Sequence, residues 1–166
     1  MLTLADKKTL FQDRYQALLL LVPTAGTFRQ RHLLQVQKLY PAFYAQYKRS
    51  CERSELQLGS LLQHTTERDL AGLGVSSALA KPKFIVGLAV TEFAQNAIHL
   101  SSIQQVCQQL EPVLFNWGRY QGIRRVALLG SDDVLLPDGA DFEQEVLPLL
   151  ERYLQPVSTL NLVIYR

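Results

Sequence analysis

Residues Pro23 to Tyr47, PTAGTFRQRHLLQVQKLYPAFYAQY, have the outline of an anion-binding loop running into a helix. Just upstream, Ala17 to Val22 is a continuous apolar run, the pattern of a strand covered on both faces. It ends at Pro23, and helical periodicity begins within a few residues. A strand, a glycine turn and a helix N-terminus bring free N–H groups and the positive end of a helix dipole to one point, which suits a phosphate. Such loops usually carry several glycines, because a residue without Cβ lets phosphate oxygens reach the backbone. Here Gly26 is followed by Thr27, Phe28, Arg29, Gln30 and Arg31. The frame of a nucleotide site is present with a different lining.

Outward from this stretch the apolar spacing predicts the order of elements. Leu33, Val36, Tyr40, Phe43 and Tyr47 recur at helical intervals interrupted at Pro41, which reads as two consecutive helices or one bent at the proline. Leu61-Leu62 is a weak strand signal, and Thr65 to Ala80 is polar and glycine-containing, as in an exposed loop. Phe84 to Val90 reads as a strand. Ser101-Ser102 offers an N-cap to a helix carrying Ile103, Val106, Cys107, Leu110, Val113, Leu114 and Trp117, with Pro112 as a bend point and Gly118 and Gly122 at its exit. Phe115 and Trp117 are expected to pack that helix onto the sheet. Val126 to Leu129 is a short strand, Asp141 a cap for a helix through Leu154, and Leu160 to Tyr165 a last strand. Alternating strands and helices imply an α/β fold with a largely parallel sheet between two helical layers.

Composition bounds the function classes. The chain has 166 residues, 48% of them hydrophobic, enough for a single domain spanning 1–166 with its own core. Its 17 basic and 15 acidic residues leave a net charge of +2, without the basic excess of a nucleic-acid binder. The longest apolar run is far short of a bilayer span, so no membrane role is expected. The first residues lack the pattern of a secretion signal, and the expected location is cytoplasmic. Cys51 and Cys107 stand apart without metal-ligand spacing, as reduced thiols do. His32, His64 and His99 likewise lack ligand spacing, so neither metal nor cofactor is expected.

The stretch Gln35 to Gly59, QVQKLYPAFYAQYKRSCERSELQLG, resembles macrodomains, the fold that binds ADP-ribose. It is most similar to the branch of antitoxins that remove ADP-ribose from DNA and to related terminal ADP-ribose hydrolases. Members carry a Gln-Phe-Lys-Lys-like helix, Phe/Tyr-Pro, a Tyr-Lys-rich helix, a Cys and a Leu-x-x-Gly turn at matching spacing. Lys81 to Val90 is similar to the strand ending in the family's Asn-Phe-Pro-Thr-Lys. Gly122 to Phe142 resembles its penultimate strand and Asp-Trp pair. Val146 to Leu150 and Val163 to Tyr165 complete a likeness that covers nearly the whole chain. It implies a three-layer α/β/α macrodomain-like sandwich with a mixed, mainly parallel sheet.

The resemblance also shows where the chain departs. The family's adenine-holding aspartate falls at Thr9, with Asp6 and Asp13 nearby, and its ribose-orienting asparagines fall at Leu20 and Pro23. A leucine there would leave a ribose hydroxyl unpaired at a cost of about 1–3 kcal/mol. Arg29, Gln30 and Arg31 replace glycine-lysine-glycine. Thr91 and Glu92 stand where the branch has its nucleophilic lysine, and the late glycine-rich loop reads Gly130-Ser131-Asp132-Asp133 through Asp138-Gly139. Adjacent carboxylates there would repel a diphosphate.

The ligand-binding candidates are therefore Gly26, Thr27, Arg29, Arg31, Gly130, Ser131 and Gly139, with guanidinium forks standing in for amides. The catalytic candidates are Glu92, Asp133 and Asp141. Each has an ordinary alternative: solvated arginines, turn aspartates, a helix cap. Three functions stay open. One is a degenerate, non-catalytic macrodomain-like protein acting through a protein partner or a weakly bound ADP-ribose-like or other nucleotide ligand. Another is an ADP-ribosyl hydrolase with relocated residues. The third is a nucleotide or nucleic-acid binding module using Arg29, Arg31 and the Lys48, Arg49 and Arg53 face. Loss of the nucleophile and of the phosphate glycines favours the first.

Overall fold

The computed structural model describes residues 1–66, 82–93, 96–130, 141–157 and 159–166. The apolar run at Ala17–Pro23 forms β2 and is buried along its whole length. Its neighbours are β4 (Phe84–Thr91) on one side and β5 (Arg125–Leu129) on the other, both parallel to it. Burial on both faces explains why the run does not alternate: Leu19 and Leu21 point into one core cluster, Leu18, Leu20 and Val22 into the other. Outside these strands lie β6 (Asn161–Tyr165), parallel to β5, and β1 (Leu2–Ala5), parallel to β6. The opposite edge is β3 (Leu61–Thr65), antiparallel to β4. Among the described residues the sheet order is β1-β6-β5-β2-β4-β3.

Two helical layers cover this sheet. On one face lie α1 (Arg31–Leu39) and α2 (Pro41–Glu52), contributing Leu33, Val36, Phe43 and Tyr47. They are two helices, because Tyr40 leaves the helical region at φ −131° and Pro41 opens the next. The other face carries α3 (Leu100–Tyr120) and α4 (Leu147–Leu154), with Ile103, Val106, Leu110, Leu114, Leu150 and Leu154 inward. The expected three-layer α/β/α sandwich with a mixed, mainly parallel sheet is the observed one.

Several local expectations need correction. The N-cap of α3 is His99, not Ser101 or Ser102, which lie inside the first turn; the backbone at His99 is extended and Ser102 is buried. Pro112 lies within an α3 that continues to Tyr120. Gly118 is a buried helical residue, and the turn out of α3 falls at Gly122, whose φ of +69° suits a residue without Cβ. Trp117 stacks flat on Phe84 at 4.9 Å, but Phe115 faces outward under Arg119. Asp141 does cap the segment after it, which begins as a π-turn, Phe142–Val146, before α4. Thr65 ends β3 and Thr66 is buried, so the expected exposed loop does not begin at Thr65; the rest of that expectation, 67–80, lies outside the described residues.

Candidate functional site

Connections from β2 and β5 leave the sheet in opposite directions. The chain after β2 passes through α1 and α2 toward β3, whereas the chain after β5 passes through α4 to β6 on the other side. Neighbouring parallel strands that diverge in this way leave a crevice beyond their C-terminal ends, the usual ligand position in such sheets. Among the described residues its walls are the loop from Pro23 to Gln30, the end of β4 at Thr91 to Phe93, and Gly130 at the end of β5.

The first wall is tied down by its own residues. The amides of Thr24 and Ala25 donate to the carbonyls of Thr91 and Glu92 at 2.9 and 2.8 Å, so they extend the β2–β4 pairing. Gly26 has φ +88°, and its carbonyl accepts from the Tyr44 hydroxyl at 3.3 Å. A Cβ at Gly26 would sit 3.3 Å from Cβ of Cys51, which shows how closely α2 lies against the loop. Phe28 turns inward, buried, with its ring stacked on Tyr47 at 4.7 Å and tilted against Tyr44 at 5.3 Å. The Tyr47 hydroxyl donates to the Pro23 carbonyl. Burial pushes the Tyr47 hydroxyl well above its usual range, so it stays a donor at any physiological pH.

At the second wall Thr91 is almost wholly buried, and its hydroxyl lies within hydrogen-bond reach of the carbonyls of Phe93 (3.2 Å) and Ala97 (3.3 Å). Glu92 is exposed beside it. Together with Thr24, Ala25, Cys51 and Phe93 it lines an open cavity of about 510 Å³. Burial raises the Cys51 thiol, partly offset by its hydrogen bond with Tyr47, so the thiolate is scarce there.

Gly130 donates its N–H to the Tyr165 carbonyl at 2.9 Å, and a Cβ on it would meet the Phe142 ring at 2.7 Å. Here glycine makes room for the rings and methyls of Phe142 and Ile164. Asp141 is exposed and its carboxylate accepts the Glu143 amide at 3.2 Å. Ser131, Asp133 and Gly139, with Asp132 and Asp138, lie outside the described residues.

The aspartates near the N-terminal turn also have partners. Asp6 caps the 3-10 turn Lys7–Thr9 by accepting the Lys8 amide at 2.9 Å. Asp13 accepts from the Tyr165 hydroxyl at 2.7 Å and the Thr9 hydroxyl at 3.0 Å. Thr27, Arg29 and Arg31 are exposed. The two arginines line an open groove along α1 with Leu34, Gln35, Lys38 and Leu39, about 700 Å³ in volume. Thus Gly26, Thr27, Arg29 and Arg31 share one loop and helix start, with Glu92 across the β2–β4 pairing. Sequence reading missed Phe28 and Tyr44 as the anchors of that loop. Their only sequence signal is aromatic spacing, because the contact between them joins two different elements. Among the described residues no three His, Cys, Asp or Glu side chains gather as metal ligands, and no described helix is long and apolar enough to cross a membrane.

No family model matches the chain, and no curated protein matches it in sequence. Solved structures do. The macrodomain of Thermus aquaticus DarG superposes with a TM-score of 0.77 at 18% identity, over 100% of this chain and 98% of that one. The macrodomain of Mycobacterium tuberculosis DarG gives 0.74 at 22% identity, over 99% and 97%. Thermosipho africanus DarTG in complex with ADP-ribose gives 0.75 at 20% identity, over 99% of this chain and 41% of that one. The fold of this protein is therefore the macrodomain fold.

Proposed function

We propose that this chain is a degenerate, non-catalytic macrodomain-like protein that acts through a protein partner or an altered, weakly held nucleotide-type ligand. The observation that carries this reading is the way the start of the first loop is bonded into the sheet. The amides of Thr24 and Ala25 are bonded within the sheet, and Phe28 belongs to the core rather than to an opening. A diphosphate needs amides turned toward it, and turning these out would break two backbone hydrogen bonds. The reaction centre supports the same reading. Thr91, in place of a nucleophilic lysine, is buried with its hydroxyl directed at carbonyls, and a hydroxyl without a base is a poor nucleophile. Positioning and electrostatic stabilisation supply most of an enzyme's acceleration, so losing both should leave negligible turnover.

Calorimetry with ADP-ribose, alongside AMP and ATP, tests the reading. The expected result is no ADP-ribose affinity tighter than about 1 mM, about 4 kcal/mol of binding free energy. No ADP-ribose should be released from modified DNA or protein. One observation favours a second reading: exposed Glu92 faces a cavity of about 510 Å³ where a substrate could reach it. Release of ADP-ribose at a rate that Glu92→Gln or Asp133→Asn abolishes would replace the first reading with a relocated-site hydrolase.

A further inference from the structure

Helix α1 presents two different stripes. Leu33 and Val36 enter the core, while Arg31, Leu34, Gln35, Lys38 and Leu39 recur at intervals of three and four on the other side. With Arg29, that outer stripe lines the groove of about 700 Å³. Leu34 is 40% and Leu39 43% exposed, so the groove floor offers two large apolar side chains to water. Three cations flank them, and no described carboxylate lines the groove. The bias is wider than the helix. Positions 14 to 51 contain no Asp or Glu but do contain Arg14, Arg29, Arg31, Lys38, Lys48 and Arg49, whereas the rest of the chain, with 11 basic and 15 acidic residues, carries −4. The cationic track also runs on past the start of α1, where a cavity of about 480 Å³ shares Arg31 and Gln35 and adds Lys8.

We infer that this groove docks an acidic segment of a partner protein, with its carboxylates on Arg29, Arg31 and Lys38 and its apolar side chains on Leu34 and Leu39; this rests on the partner-binding reading proposed above. Guanidinium groups match carboxylates bidentately, and a desolvated apolar floor gives such a contact its affinity. A small anion would leave both leucines uncovered. A nucleic-acid strand would want aromatic faces on which to stack its bases; the groove along α1 supplies leucines instead, and Phe11 in the adjoining cavity already stacks on His32. The groove runs along the outer side of α1 and shares Arg29 with the loop that walls the crevice, whereas Leu34, Lys38 and Leu39 belong to the groove alone.

Fluorescence anisotropy with the full chain tests this. The probe is a labelled amphipathic peptide of repeating Glu-Leu-Leu-Glu blocks, compared with the same peptide carrying Lys for Glu and with a labelled single-stranded oligonucleotide. The acidic peptide should saturate, more weakly as salt rises, and the lysine peptide should not. Arg31→Glu with Lys38→Glu should weaken it by about tenfold or more, and Leu34→Ser with Leu39→Ser by a similar factor without changing the salt dependence. Lys48→Glu with Arg49→Glu makes the same charge change away from the groove and should stay within about twofold. All these side chains are exposed, and circular dichroism confirms that each variant is folded. Absence of saturation, or equal loss in the Lys48 and Arg49 variant, overturns the proposal. So does tighter binding of the oligonucleotide that ignores the leucine changes. A protein dimer that excludes the peptide and is dispersed by Arg31→Glu assigns the groove to a second copy and also overturns it. ADP-ribose binding in calorimetry would remove the crevice reading while leaving the groove result standing.

Discussion

At the scale of single residues, polar groups that could have served a ligand are bonded inside the protein. Tyr47 is the clearest case. Its hydroxyl donates to the Pro23 carbonyl at the end of the central strand, and its ring carries Phe28. Tyr47→Phe keeps the ring and removes the donor, leaving a buried carbonyl without that partner. The expected cost is about 1–3 kcal/mol, read as a lower urea midpoint with an unchanged slope. A change within a few tenths of a kcal/mol would mean that water replaces the hydroxyl and the loop is open. Asp13 shows the same economy of partners, holding Thr9 and Tyr165 together. The cysteines behave as packing residues: Cys107 is buried in α3 with its thiol pushed up to about 12, and Cys51 is half-buried against Tyr47.

At the scale of elements, helix α3 is seated by a close approach. A Cβ at Gly118 would lie 2.8 Å from Cβ of Thr159, and the Thr159 hydroxyl is nearer still. The hydroxyl can rotate away, but Cβ moves only with the backbone. Gly118→Ala gains helix propensity of about 1 kcal/mol and loses about 1–3 kcal/mol to overpacking, and the clash with a β-carbon decides the sign. Thermal unfolding should show a lower midpoint for Gly118→Ala and recovery when Thr159→Gly is added. A Gly118→Ala protein more stable than the parent would show that the Thr159 segment yields freely.

For the whole molecule, the sheet is closed at one edge by a strand from the other end of the chain. β1 pairs in parallel with β6, and the Met1 amine donates to the Leu160 carbonyl at 2.8 Å. Without β1, the row of donors and acceptors along Asn161–Tyr165 becomes an open edge next to the buried centre of the sheet. Deleting residues 1–5 should lower the unfolding midpoint and produce concentration-dependent association by light scattering. A deletion variant that stays monomeric at the parent's midpoint would show that β6 is protected without it. The outer side of α1, whose sequence carries no Asp or Glu, and the crevice at the strand ends lie at different places on this frame. The proposed docking groove and the crevice can therefore be tested by separate substitutions.

Much of the fold was legible because its signals are local. The unbroken apolar run at Leu18–Val22 reads as a doubly covered strand, and the spacings from Leu33 to Tyr47 and from Ile103 to Trp117 read as helices whose inner stripes match the observed cores. That Gly26 to Gln30 form a turn between β2 and α1 was equally legible, since it depends only on which residues follow the strand. β1 was not: Leu2–Ala5 is short and incompletely buried, and its partner is supplied by residues about 160 positions away. The cap at His99 escaped notice because its side chain makes no capping bond and only the backbone turns there. The carboxylates and hydroxyls depended most on tertiary structure. Asp13 meets Tyr165 across 152 residues, and Thr91 meets Ala97 through a turn that no periodicity encodes. A hydrogen bond of that kind is set by where strand ends converge, which only the assembled sheet determines.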